Sequence, residues 1–193
     1  AGEEITDRHH MAGRNQVKHS RLGTTIRGVV GVMCNADWIP DLLPFDGNWG
    51  EVLDAIYERF MADLLRKPVL FRGRRVSVRK HPPTQGKGFG FWHCISDGKY
   101  EDDRVPDPDR CKRVGWIRAI IENCDHPEVD HWTEKRGRQM DHILWYNEEF
   151  AVVLAERGKH ADGGPDYYLL KTSYCTFMEH QKRKKRKKRD APK

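Results

Sequence analysis

QMDHILWYNEEFAVVLAE, residues 139–156, holds two β-favouring runs separated by three turn residues. The runs 139–146 and 150–156 are rich in Ile, Val, Leu and aromatic side chains, which pack well on a pleated surface. The turn 147–149 is too short for a crossover, so the two strands lie side by side and antiparallel. Residues 131–135 before them and 167–176 after them continue the pattern, through turns at 136–137 and 158–166. The expectation is a meander.

Upstream, Val52, Leu53, Ile56, Phe60 and Leu64 recur at three- and four-residue steps within 49–67, while Glu51, Asp54, Glu58, Arg59 and Asp63 face away. That is the period of an amphipathic helix. Asn48 or Asp46 caps its start and Pro68 stops it. Residues 69–80 set VSV against Arg74, Arg75, Arg79 and Lys80, the pattern of one half-exposed strand with a basic face. In 91–96 an apolar run places His93 and Ser96 on a strand, and an acidic, proline-marked loop covers 97–109. A helix over 109–123 then buries Cys111, Val114, Ile117, Ile120 and Ile121, with Arg110 and Arg113 on one edge.

Helices first and strands after predict an α+β protein, with N-terminal helices packed on one face of a four- to five-stranded antiparallel meander sheet and the other face open. Three regions are expected. Residues 1–48 form an arm and a packed loop: a mobile stretch at 1–22, a β-favouring run at 24–33 and an apolar loop at 35–48. Residues 49–178 form the folded domain, and 179–193 a disordered basic tail.

Hydrophobic residues are 37% of the chain and charged residues 33%, so the surface is heavily charged and the core modest. No run approaches the roughly 20 apolar residues needed to span a bilayer. The start lacks the basic-then-apolar pattern of a signal peptide. Cys34, Cys94, Cys111, Cys124 and Cys175 are odd in number and never in a CxxC pair, which argues against zinc and disulfides. A reducing, cytoplasmic setting with no membrane partner is expected.

Metal ligation has little to recommend it. His9-His10 is a lone vicinal pair, Glu101-Asp102-Asp103 are consecutive on a loop and do not converge on one ion, and no DxD or HExxH occurs. HPPTQGKGFG at 81–90 lacks the order of a phosphate-cradling glycine loop. Neither metal nor cofactor is expected.

Charge is more informative. Residues 66–120 hold 14 Lys and Arg against 6 Asp and Glu, and 182–193 hold 9 against 1, on an otherwise acidic body. Focused positive charge steers and holds phosphates, so a polyanion is the natural partner. Lys182, Arg183, Lys184, Lys185 and Arg186 open a run of eight consecutive bases that repels itself. Such a run is disordered, or frayed helix, until it meets an anion.

Metal-free RNA cleavage needs a base for the 2′-hydroxyl, an acid for the leaving 5′-oxygen, cations for the phosphorane and groups that hold the phosphate in line. His93 suits proton transfer near neutral pH. Arg110 and Arg113, with Arg104 in reserve, suit the phosphate because a guanidinium bonds two oxygens and stays charged. Thr172 and Tyr174 share one face of the last strand and Lys171 and Ser173 the other, so Thr172 and Tyr174 would position substrate. Arg79, Lys171 and the tail bases would hold the RNA backbone. Each residue also has a plainer reading: a buried strand histidine, helix-surface arginines paired with the Asp-rich loop, and Thr and Tyr chosen for β propensity.

The segments RGRRVSVRKHP (72–82), GFWHCISDG (90–98), DRVPDPDRCKRVGWIRAIIEN (103–123), the tryptophan-to-RG run at 132–137, HILWYNEEFAVVLAER (142–157) and YYLLKTSY (167–174) resemble a family of small phage- and bacterium-encoded proteins. That family is placed with the barnase/EndoU/colicin/RelE-like ribonuclease fold. The resemblance covers roughly 52–188, and its most specific pieces are FWHxIS and PDxxRCxR. It implies a metal-independent endoribonuclease acting on tRNA or mRNA, often a toxin or phage effector with an antitoxin or host-protein partner. It also implies a helical N-terminal part, a four-stranded antiparallel sheet, and roles for His93, Arg110, Arg113, Thr172 and Tyr174. Ser173 stands where that family has a smaller residue, the basic tail is longer, and 1–48 falls outside the resemblance. Two other classes fit the charge pattern: a non-catalytic RNA- or DNA-binding accessory protein, and a protein–protein inhibitor of a host enzyme.

Overall fold

Asn48 accepts a hydrogen bond from the Gly50 amide at 2.8 Å and so starts helix α1, Trp49–Leu64, which buries Leu53, Ile56, Phe60 and Leu64. The computed structural model describes residues 37–98, 100 and 103–191. The arm at 1–22 with His9 and His10, the run 24–33, Cys34, and Glu101 and Asp102 of the acidic loop lie outside the described residues.

The single strand expected over 69–80 is instead a hairpin of β1, Val69–Phe71, and β2, Arg74–Val78. Arg72 and Gly73 turn the chain at φ 49° and 77°, a reversal that glycine makes at little cost. The expected strand around His93 is also corrected. Residues Phe89–Ile95 form helix α2, and only Ser96–Asp97 is extended, as β3, paired with β4 at Val105–Pro106. Phe91, Cys94 and Ile95 are buried at helical spacing, and Gly90 lets α2 approach β2: a Cβ there would stand 2.6 Å from Val78 Cγ1.

The helix expected over 109–123 is broken in two. Asp107 caps α3, Pro108–Lys112, accepting from the amides of Asp109 and Arg110. After a turn, α4 runs over Trp116–Glu122. Gly115 lies at the break, where a Cβ would meet the Arg59 guanidinium at 3.0 Å.

Strands β5 (Val129–Arg136), β6 (Gln139–Tyr146), β7 (Phe150–Arg157) and β8 (Tyr167–Cys175) pair antiparallel in sequence order. The β2 strand joins parallel to β8, giving a six-stranded mixed sheet in the order β1-β2-β8-β7-β6-β5 rather than an all-antiparallel one of four or five strands. Register slips once. Val153 faces Thr172 while Leu154 faces Leu170, leaving Lys171 as the extra residue of a bulge.

The main core lies between the sheet and α1–α4, with Phe60, Phe71, Phe91, Ile117, Ile121, Leu144, Tyr146, Phe150 and Leu154 all buried. Each such side chain contributes roughly 1.5–3 kcal/mol on leaving water. A smaller cluster, Trp132, Ile143, Trp145, Ala151 and Val153 with Tyr174, occupies the opposite face.

That face is not open. The basic tail forms helix α5, Glu179–Arg189, in place of the disorder expected of it. Lys188 bonds Glu134 at 2.5 Å, Arg189 bonds Asp130 at 2.7 Å, and Arg186 bonds Glu148 and Glu179, each at 2.7 Å. Those carboxylates offset the self-repulsion that makes an isolated basic run disordered. Among the described residues, no helix is long and apolar enough to cross a membrane.

A polar chain crosses the sheet away from α5. Arg72 lies 3.0 Å from His131 Nδ1, His131 Nε2 is 3.0 Å from His142 Nδ1, and His142 Nε2 is 2.9 Å from Glu156. Arginine only donates, so His131 accepts at Nδ1 and donates from Nε2, and His142 donates to Glu156. The buried His142 is thereby satisfied at both nitrogens.

Candidate functional site

His93 projects from α2 with its ring stacked on Phe89, the centroids 4.2 Å apart and the planes inclined by 28°. The Arg79 guanidinium also lies on the Phe89 ring, 4.1 Å from its centroid, and donates to the His81 carbonyl at 2.8 Å. Arg79, Phe89 and His93 line a hollow of about 240 Å³ with Arg157, Leu169, Leu170 and Lys171. Arg157 donates to the Glu156 carbonyl at 3.0 Å and Lys171 to Asp141 at 2.8 Å. The hollow therefore gathers one imidazole, two guanidiniums and one ammonium, and no carboxylate lines it.

Arg110 and Arg113 do not join His93 there. Arg110, with 12% of its side chain exposed, donates to the Ser96 carbonyl and pairs with Asp97 at 3.1 Å and Asp107 at 3.2 Å. Arg113, 11% exposed, bonds the Asp109 carbonyl at 3.1 Å and lies against the rings of Trp116 and Phe177. These contacts brace the corner between β3 and α3. The break at Gly115 makes Arg113 the residue that ends α3, so the two arginines share no helix edge. Arg104 is half-buried beside β4 and lines neither this hollow nor the one below.

The last strand divides its polar groups in a way that simple alternation misses. Thr172 donates to the His93 carbonyl at 2.6 Å and Ser173 to the Cys94 carbonyl at 3.0 Å. These hydroxyls satisfy carbonyls that the end of a helix leaves without partners, and they fix α2 on β8. Ser173 is buried and structural. The bulge moves Lys171 out of Ser173's company, so that it reaches Asp141, which alternates with Ile143 and Trp145 on the α5 side.

Tyr174 belongs to a second hollow, of about 330 Å³, lined also by Glu134, Arg136, His180, Gln181, Lys184, Lys185 and Lys188. Lys185 donates to the Tyr174 hydroxyl at 2.5 Å. Burial pushes the Tyr174 phenol up to about 12 and brings the Lys185 ammonium down to about 8. The fully buried Asp141 links the two hollows, accepting from Lys171 at 2.8 Å and approaching Arg136 Nε at 3.4 Å. The one site expected from the sequence is thus two.

Of the tail bases, Arg183 and Lys184 are exposed, Lys182 is half-buried, Lys185 is buried, and Arg186 is held between Glu148 and Glu179. Arg157, Asp141, Glu134 and Arg136 carry no motif that marks them in the sequence. Asp141 leaves a signal, a lone charge opening an apolar strand. The thiols of Cys94, Cys111 and Cys175 are each pushed up to about 12 by burial, which leaves them protonated and unsuited to nucleophilic work. Among the described residues, no group of three or more His, Cys, Asp or Glu is placed to hold a metal ion.

No family model matches the chain, and neither a curated protein nor a solved structure matches it. Fold and chemistry define the class: an α+β protein with a six-stranded mixed sheet, in which the hollows around His93 and Tyr174 are both lined by basic side chains.

Proposed function

We propose that this protein is a metal-independent endoribonuclease of the barnase/EndoU/colicin/RelE-like kind that its sequence resembles, cutting in the hollow around His93. The observation that carries the reading is the convergence there of His93, Arg79, Arg157 and Lys171 in a lining without a carboxylate, Lys171 being held from outside the lining by Asp141. Such a set attracts a phosphodiester and repels nothing in it.

His93 takes the proton of the 2′-hydroxyl, whose oxygen attacks phosphorus. The phosphorus–5′-oxygen bond breaks, a 2′,3′-cyclic phosphate remains, and the departing oxygen takes its proton from water at the mouth of the hollow. Arg79, Arg157 and Lys171 neutralise the charge that builds on the phosphorane. Thr172 acts through His93 by holding its backbone. Arg110 and Arg113 leave the catalytic set, their guanidiniums being occupied by the β3–α3 corner. A tRNA or mRNA substrate, a cytoplasmic setting, and a role as toxin or phage effector with an antitoxin or host-protein partner belong to the same proposal.

The experiment is incubation of purified protein with tRNA and with a messenger-like transcript in EDTA, followed by analysis of the ends produced. Cleavage to 2′,3′-cyclic phosphates, lowered about 10²–10⁴-fold in His93→Ala with the circular dichroism unchanged, supports the reading. One observation favours a binding protein instead: the hollow offers a single proton-transferring imidazole. An RNA shifted in the gel and left intact in EDTA would establish that alternative.

A further inference from the structure

The second hollow is built around a lysine that is almost inaccessible. Lys185 is 8% exposed, and its ammonium lies 4.6 Å from the Tyr174 ring centroid, 5.3 Å from Trp132 and 6.0 Å from Trp145. Three aromatic faces and a phenolic oxygen form a cage for one cation. Since the cage belongs to β5, β6 and β8, it fixes the rotation of α5 about its own axis. Gln181, Lys184, Lys185 and Lys188 lie at i, i+3, i+4 and i+7, one face of that helix. With Lys185 anchored, this face meets Arg136 of β5 and the end of β8, and His180 stands one turn before Lys184.

The lining contains the cations Arg136, Lys184 and Lys188 and the caged ammonium of Lys185, together with His180 and one carboxylate, Glu134. Glu134 is already engaged, accepting from Lys188 at 2.5 Å and from the Trp132 indole at 3.1 Å. It serves as a tether for α5 and leaves the rest of the lining positive. Arg136 lines the hollow with its Nε 3.4 Å from the fully buried Asp141 and one terminal nitrogen 3.7 Å from Glu134, and more than half of its side chain is exposed. A planar guanidinium bonds two oxygens of one group, while lysine ammoniums act as point charges around it. A volume of about 330 Å³ is ample for a phosphate and part of a ribose.

We infer that the hollow between α5 and the sheet is a second phosphoryl-binding site, in which Arg136, His180 and Lys184 grip one phosphate group and caged Lys185 holds α5 in register. The phosphate belongs either to an RNA strand also engaged around His93, a case that rests on the ribonuclease reading, or to a small free phosphate. The site itself requires no cleavage.

The test titrates the full chain with inorganic pyrophosphate and, separately and in the His93→Ala background so that the strand stays intact, with an oligoribonucleotide lacking terminal phosphates, by calorimetry. Lys184→Gln and Arg136→Gln are each expected to weaken pyrophosphate binding about tenfold, the scale of one charge-assisted contact. Lys187→Gln, at an exposed position outside the hollow, is expected to leave it unchanged. Parallel loss of oligoribonucleotide affinity in Lys184→Gln assigns the site to RNA, and loss of pyrophosphate alone assigns it to a free phosphate. Unchanged pyrophosphate binding in Lys184→Gln, a surface substitution that leaves Asp141 and the cage intact, overturns the inference. The His93→Ala variant separates the two readings, because it lowers cleavage and is expected to retain pyrophosphate binding here.

Discussion

The hydroxyl of Thr172 on β8 donates to the backbone carbonyl of His93 at 2.6 Å, across 79 residues of sequence. Ser173 makes the same kind of bond to the next carbonyl, that of Cys94. Helix α2 is thus pinned at its C-terminal end by two hydroxyls of a strand, and the imidazole rides on the pinned turn.

Thr172→Val keeps the side-chain shape and removes the donor. We expect a loss of about 1 kcal/mol in stability, the net worth of one such hydrogen bond. We also expect kcat on RNA to fall about tenfold with KM nearly constant, because the imidazole loses its alignment and the cations remain. Thr172→Ser should restore the rate. A valine variant with the parental kcat would show that His93 needs no such support.

Arg79 and Arg157 are assigned here to phosphate contact, and salt dependence measures that directly. In Arg79→Gln or Arg157→Gln, the slope of log affinity for single-stranded RNA against log salt should fall by about 0.7, the counterions released by one phosphate contact. Arg183→Gln, exposed on α5, lies outside both hollows and is the comparison. An identical slope in the parent and in both hollow variants would move the strand elsewhere on the surface.

For Arg110 the expected effect is on the fold. Arg110→Gln breaks its bonds to the Ser96 carbonyl, Asp97 and Asp107. The Asp97 carboxylate is exposed, so the cost is discounted to about 1–2 kcal/mol. Urea unfolding should show a lower midpoint with an unchanged slope. RNA affinity, measured well below that midpoint, should match the parent. Weaker RNA binding at an unaltered midpoint would return Arg110 to the phosphate site.

The contrast between Arg110 and Arg157 shows where sequence reading succeeds and where it stops. Helix α1 is legible because five apolar positions repeat over four turns, and only its last turn is overextended. Residues 91–96 are not, since a short apolar run satisfies helix and strand alike; α2 forms because Gly90 allows close packing on β2 and β8 supplies hydroxyls for its end. The parallel pairing of β2 with β8 joins residues about ninety positions apart, and no local pattern encodes it. His93, Arg79 and Lys171 were nameable as chemistry, but their convergence with Arg157 depends on that pairing and on the bulge at Lys171. The tail reads as disordered because its repulsion is visible in sequence, whereas the acids that neutralise it lie on β5 and on the turn after β6.

Lys185 gives the docking of α5 a pH dependence of definite sign. Burial brings its ammonium from 10.5 down to about 8. Below pH 8 the folded and unfolded chains both carry the proton, and the burial penalty is present in full. Between about 8 and 10.5 the folded chain has released it and the unfolded chain has not, so stability from this group rises with pH. Tyr174 opposes this only above pH 10, because burial lifts its phenol from 10.0 to about 12. The thiols of Cys94, Cys111 and Cys175, lifted from 9.0 to about 12, lower stability above pH 9 in any variant, so the comparison must be differential. The difference in melting temperature between the parent and Lys185→Met, taken from pH 7 to 9.5, should therefore shift in the parent's favour as pH rises, the thiol contribution cancelling. A difference that stays constant over that range would mean that burial does not depress the Lys185 ammonium in the folded chain.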